Sequence, residues 1–225
     1  MLETWPANLV REEGPPVGAA TDYYSTLLIS KFPAFDFDAT SVTGVDIDPD
    51  LILQADSLLA LRASRVRSAP DTPERFVDYY PISAVLTHGK RFAKPAPPNW
   101  PHVTFISADW ALSASPAASG PYDVILALSV IKWIHLEHLD RGLVSFFDKC
   151  VSALAPGGYL VIELQTWDSY EKAVRPNKAP HFRESLSKLN YRPETSFDGL
   201  LQERGLNLCN SSTALPRRIN VYRKM

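Results

Sequence analysis

A chain of 225 residues with 45% hydrophobic and 11% aromatic side chains holds enough material for one packed domain. Its two cysteines are too few for a disulfide framework, and its formal net charge of -2 does not point to a long basic nucleic-acid groove, so any nucleic-acid contact should be local, at an end or in a pocket. The longest apolar runs, near Val124–Val130 and Tyr159–Leu164, fall far short of a bilayer span, and the N-terminus has no apolar signal core, so no membrane role is expected and an intracellular location is.

Residues 1–22 read as irregular, and a domain is expected over 23–225. Tyr23–Phe32 has the pattern of a short amphipathic helix that Pro33 stops. Ser41–Asp48 is a β-branched strand ending in acid. Asp48 then caps a helix opening at Pro49, with Leu51, Ile52, Ala55, Leu58, Leu59 and Leu61 on helical spacing. Many of the prolines gather in residues 68–101, which reads as an inserted surface loop. His102–Ile106 is a short strand. Tyr122–Leu128 is a continuous apolar run of the kind expected for a strand covered on both faces of a parallel sheet.

A strong helix is predicted from about Glu137, with Leu139, Leu143, Phe146, Phe147, Cys150, Val151 and Leu154 on one face. Ala155–Gly158 reads as a tight turn, Tyr159–Leu164 as a buried strand and 167–194 as polar and mixed. Phe197–Arg204 is one more helix, stopped by Gly205. Two strand-like runs, Leu206–Leu215 and Arg217–Tyr222, close the chain around Pro216. The order predicts an open α/β sheet. Its final antiparallel hairpin resembles the methyltransferase variant of that sheet, since dinucleotide-binding domains usually continue with parallel units.

In such sheets ligands bind beyond the carboxyl ends of the strands. Asp46, at the end of its strand, suits a ribose diol; the plainer reading, a cap for the next helix, fits Asp48 better. Asp109 and Trp110 follow the next strand, where a carboxylate accepts from an adenine amino group and an aromatic packs on the base. A turn residue and a core tryptophan are the equal alternative. The segment Leu128–Leu136 has no D/N-P-P-Y motif, which argues against amino-group methylation, and presents Lys132 instead. A lysine is a compact point charge suited to a phosphate. His135 and His138 lack a third ligand, so no metal site is expected. The hydrogen-bonding segment Glu163–Tyr170 makes Gln165, Trp167 and Tyr170 candidate substrate contacts, against the plainer reading of a strand exit with a core tryptophan. Basic residues gather at Arg62, Arg65 and Arg67, at His88–Lys94, and at Lys172, Arg175, Lys178, His181 and Arg183. The last group directly follows the active edge and is the best candidate for RNA backbone contact.

Three stretches, Val42–Ile52, Tyr122–Leu136 and Leu154–Tyr170, resemble the Bin3-type RNA methyltransferases, the family that includes the 7SK snRNA methylphosphate capping enzyme. The likeness covers about residues 25–224, and the segment Lys132–Leu136 is its most specific part. It implies a class I S-adenosylmethionine-dependent methyltransferase fold and RNA 5′-end capping of a small non-coding RNA. Asp46 and Ile47 would hold the adenosine of S-adenosylmethionine, with Asp109 and Trp110 beside the adenine and Leu128 along the methionine moiety. Lys132 would contact the RNA's terminal phosphate as the catalytic residue. The likeness also favours the nucleus over the cytoplasm and leaves room for ribonucleoprotein partners.

One departure is large. The family's first strand and glycine-rich turn should precede the helix at Tyr23–Phe32, where the chain offers only Glu13–Ala20 with two prolines. This implies either a lost N-terminus or weakened cofactor binding. It keeps open a catalytically impaired RNA-binding or scaffold protein on the same fold and, further off, a small-molecule methyltransferase.

Overall fold

A computed structural model of the chain describes residues 39–68, 76–78, 102–113, 119–212 and 217–225. The irregular segment 1–22, the helix expected at Tyr23–Phe32 and most of the proline-rich stretch 68–101 lie outside the described residues.

Strand β1 (Ser41–Asp46) leads into helix α1 (Pro49–Arg65). Pro49 opens the helix, and the Asp48 carboxylate accepts the Asp50 N–H at 2.8 Å, the cap read from the sequence. Leu51, Ile52 and Ala55 form the buried face of α1. Within the proline-rich region, β2 (Val66–Ser68) pairs antiparallel with β3 (Phe76–Asp78). Strand β4 (His102–Ser107) runs parallel to β1, bringing Asp46 opposite Ser107.

The larger sheet holds β5 (Tyr122–Ala127), β6 (Leu154–Leu164), β7 (Leu206–Ser212) and β8 (Arg218–Lys224) in the order β5-β6-β8-β7. β5 and β6 are parallel, and β8 runs antiparallel to both β6 and β7. This is an α/β arrangement with the antiparallel C-terminal hairpin expected from the sequence. β8 therefore begins at the rim where β5 and β6 end: Arg218 lies opposite Leu164.

Helix α2 (Ile131–Ala153) crosses this sheet. Leu143, Phe146, Phe147 and Cys150 bury against Leu160 and Ile162 of the sheet and against Phe197 and Leu201 of α5 (Phe197–Gln202). A second cluster joins Leu136 of α2 to Tyr170 and Ala173 of α3 (Trp167–Ala173), and to Val174 and Leu189.

Four expectations need correction. Helix α2 begins at Ile131, not near Glu137; Leu139 (φ 59°, ψ -168°) breaks it, and the predicted helix is the part beyond that break. The polar stretch 167–194 contains α3, a 3-10 turn at Pro180–Phe182 and α4 (Arg183–Lys188), all too short for a periodic signal. The turn Ala155–Gly158 lies inside β6 as an irregularity, between the pairs Tyr122↔Leu154 and Val124↔Tyr159. There Gly157 takes φ +76°, and a Cβ on Gly158 would sit 3.0 Å from two backbone oxygens. Finally, β5 is not covered on both faces. Val124 is 49% exposed, and only Ala127 of the strand is fully buried.

Candidate active site at the sheet rim

The site begins with a backbone feature. β5 ends at Ala127, and Ser129 turns the chain into α2 with φ 61°. Lys132 follows in the first turn of α2, just past the carboxyl end of β5. Lys132 is only 7% exposed, and its Nζ donates to Ser169 Oγ at 3.0 Å. Burial, then the charges of Arg217 and Lys178, lower its pKa to about 8, with Glu163 acting in the opposite direction.

Around it lies a connected polar group. Ser129 Oγ donates to Glu163 Oε2 at 2.5 Å. Arg217 Nη1 donates to Ser129 Oγ at 2.9 Å and to Glu163 Oε1 at 2.7 Å. Gln165 is 7% exposed, and its Oε1 is buried without a hydrogen-bond partner. Lys132, Arg217 and the Glu163 carboxylate thus lie at one rim. A lysine kept partly desolvated beside other cations is a receptor for an anion.

Behind the rim, His135 is fully buried, with Nε2 2.8 Å from Asp140 and Nδ1 3.3 Å from the Tyr170 hydroxyl. Burial lowers its pKa, against the opposing pull of Asp140. Asp140 also accepts N–H bonds from Asn190 and Tyr191. These bonds fix α3, and so Ser169, relative to Lys132.

The other candidates fall in different places. Tyr170 is 1% exposed, so the expected substrate contact is corrected: its ring belongs to the core. Trp167 stacks on Tyr170 at 5.2 Å and carries the Arg192 guanidinium 3.3 Å from its ring centre, so its faces are taken by the protein. Asp46 is 7% exposed at the end of β1, its Oδ1 accepting the Asp48 N–H at 3.0 Å, and Ile47 beside it is 61% exposed. Asp109 accepts the Ala111 N–H through Oδ1 and holds His138 Nε2 at 2.6 Å through Oδ2. Trp110 meets Phe146 edge-on, with Lys149 Nζ 4.8 Å above its ring. Leu128, half-buried, lies between β5 and the Ser129 turn.

Sequence reasoning missed Arg217 and Ser129. A signal for Arg217 existed: a strand antiparallel to β6 must start at the rim where β6 ends. Ser129 carried none, because a left-handed serine is not written in residue type. Among the described residues no group of three or more His, Cys, Asp or Glu side chains could hold a metal, and no helix is long and apolar enough to cross a membrane.

Residues 122–224 match the family model of Bicoid-interacting protein 3 (Bin3). The U6 snRNA methylphosphate capping enzyme Amus of Drosophila melanogaster is 29% identical over 168 residues, 73% of this chain and 46% of that protein. The 7SK snRNA methylphosphate capping enzyme of Homo sapiens is 31% identical over 158 residues, 58% of this chain and 23% of that protein. An RNA 5′-monophosphate methyltransferase of Rattus norvegicus is 34% identical over 110 residues, 45% of this chain and 37% of that protein. The chain spans less than half the length of each of these relatives. The matched residues include Lys132, Glu163 and Arg217.

Proposed function

We propose that the chain transfers a methyl group from S-adenosylmethionine to an oxygen of the 5′-terminal phosphate of a small RNA. The observation that carries this reading is the buried Lys132 ammonium at the rim, flanked by Arg217 and Lys178, in the segment matched to Bin3. The relatives' names supply the acceptor class: U6 and 7SK snRNA, and RNA 5′-monophosphate.

The residues fit the ribose end of the cofactor. Asp46 stands at the carboxyl end of β1, where ligands of such sheets bind, and Ile47 exposes an apolar face next to it. When bound, S-adenosylmethionine supplies a methyl group on a sulfonium, and Leu128 would line its methionine moiety. A phosphomonoester is already ionised near neutral pH, so no general base is required of this chain. Lys132 holds the acceptor oxygen and neutralises its charge; Ser169 holds Lys132. Replacing Lys132 by Ala should lower methylation of 5′-phosphorylated RNA by about 100-fold while the fold is kept. Unchanged turnover in that variant would remove Lys132 from the mechanism.

One observation favours a second reading, a catalytically impaired RNA-binding protein on the same frame. The groups assigned to the adenine are engaged within the protein: Asp109 with His138 and Ala111, Trp110 with Phe146 and Lys149. Titration calorimetry with S-adenosylmethionine separates the two, since the impaired protein gives no heat of binding.

A further inference from the structure

We propose that Arg217 is a second direct ligand of the terminal phosphate, oriented by Glu163 and Ser129; this rests on the function proposed above. Three observations carry it. The antiparallel course of β8 puts Arg217 at the rim, one residue before the pair Arg218↔Leu164. Among the described residues both bonds of its guanidinium use Nη1, one to Ser129 and one to Glu163, and Nε and Nη2 make none. The side chain is 55% exposed, whereas the Glu163 that anchors it is 13% exposed.

A guanidinium held at one nitrogen with a free edge toward solvent is arranged to grip a planar or tetrahedral oxyanion in bidentate fashion. Lys132 is near enough to feel the Arg217 charge, which helps lower its pKa, as does Lys178. Two cations that repel each other across a gap are stabilised together by a shared anion. Lys132 and Arg217 against the Glu163 carboxylate leave an excess of positive charge, which suits a phosphomonoester carrying close to two negative charges. Glu163 therefore has two opposing effects: it fixes Arg217 and repels the phosphate.

The test compares the full chain on one short RNA made in two forms, 5′-monophosphorylated and 5′-hydroxyl, with binding read by fluorescence anisotropy at one fixed salt concentration. The unmodified protein should prefer the phosphorylated form. Arg217→Ala should weaken binding of that form by about tenfold and leave the hydroxyl form unchanged. Arg217→Lys, which keeps the charge and loses the fork, should fall between them and covers the case in which the alanine variant does not fold. Glu163→Gln keeps an acceptor for Nη1 but removes the negative charge, so it should tighten binding of the phosphorylated form. A purely structural ion pair predicts instead that Arg217 and Glu163 variants weaken both RNAs alike, and that pattern overturns the assignment. So does an Arg217→Ala protein that discriminates as well as the unmodified one. Loss of discrimination in the unmodified protein strikes the proposed function itself, and the role of Arg217 falls with it.

Discussion

The Lys132 ammonium is 7% exposed and shares its surroundings with Arg217 and Lys178, so keeping it charged works against folding. Its folded pKa, about 8, lies below the ordinary 10.5. Between these values the unfolded chain binds more protons than the folded one, so stability rises with pH across that window and the penalty is fully present below it. Replacing Lys132 by Met keeps the apolar stem and removes the charge. This variant should be more stable at pH 7 by about 1 kcal/mol, with the gain shrinking between pH 8 and 10.5, while the methylation proposed for the chain is lost. Urea denaturation at pH 7 and above 10 checks it; a less stable variant at pH 7 contradicts the account. The type and place of Lys132 were legible in the sequence, because a lysine among apolar residues just past a strand has few other uses. Its partners Ser169 and Arg217 were not, since they lie 37 and 85 positions further along and meet it only through the sheet.

Helix α2 carries the site at one end and the core along its length. Its two parts differ in what the sequence revealed. Beyond Leu139 the apolar face Leu143, Phe146, Phe147 and Cys150 is regular and was readable. Before Leu139 the apolar residues divide between two clusters: Ile131 joins the main core and Leu136 the smaller one, so no single stripe forms. The break itself falls on a leucine, a residue that sequence rules never choose for positive φ. It also throws His138 over the next turn of the helix. A Cβ on Gly142 would lie 1.9 Å from the His138 Cβ, so Gly142 is fixed by close approach. Gly142→Ala should therefore cost about 2–4 kcal/mol of stability and loosen the His138–Asp109 bond, although alanine is the better helix former. Chemical denaturation measures the first effect and the His138 imidazole NMR signal the second. An alanine variant at or above native stability would show that the break at Leu139 is not fixed.

At the scale of the molecule, the two parallel pairs are joined through side chains. His138 of α2 reaches Asp109 beyond β4, and Lys149 of α2 donates to the carbonyls of Trp110 and Ser113. On the far side of α2, fully buried His135 joins Asp140, Tyr170 and, through Asp140, the backbone at Asn190 and Tyr191. Burial holds its pKa below the ordinary 6.5. For a depressed pKa the stability is present above the unfolded value and lost as pH falls below it. The thermal midpoint should thus be level above about pH 6.5 and decline from there toward pH 5, and His135→Gln should flatten that decline. A decline of equal slope in both proteins would assign it to other groups.

The chain alone determined the α/β class, the antiparallel closing hairpin, the cap at Asp48 and the place of Lys132 just past a strand. Each is written in local pattern: alternation, helical spacing, a proline and an acid in sequence, a charge where apolar residues are expected. Only the tertiary structure decided that Tyr170 belongs to the core, that Trp167 lies between Tyr170 and Arg192, and that Arg217 faces Lys132. Those outcomes depend on strand register and on which face of a short helix finds cover. Both are settled by packing between segments far apart in the chain, where residue type gives no directional information.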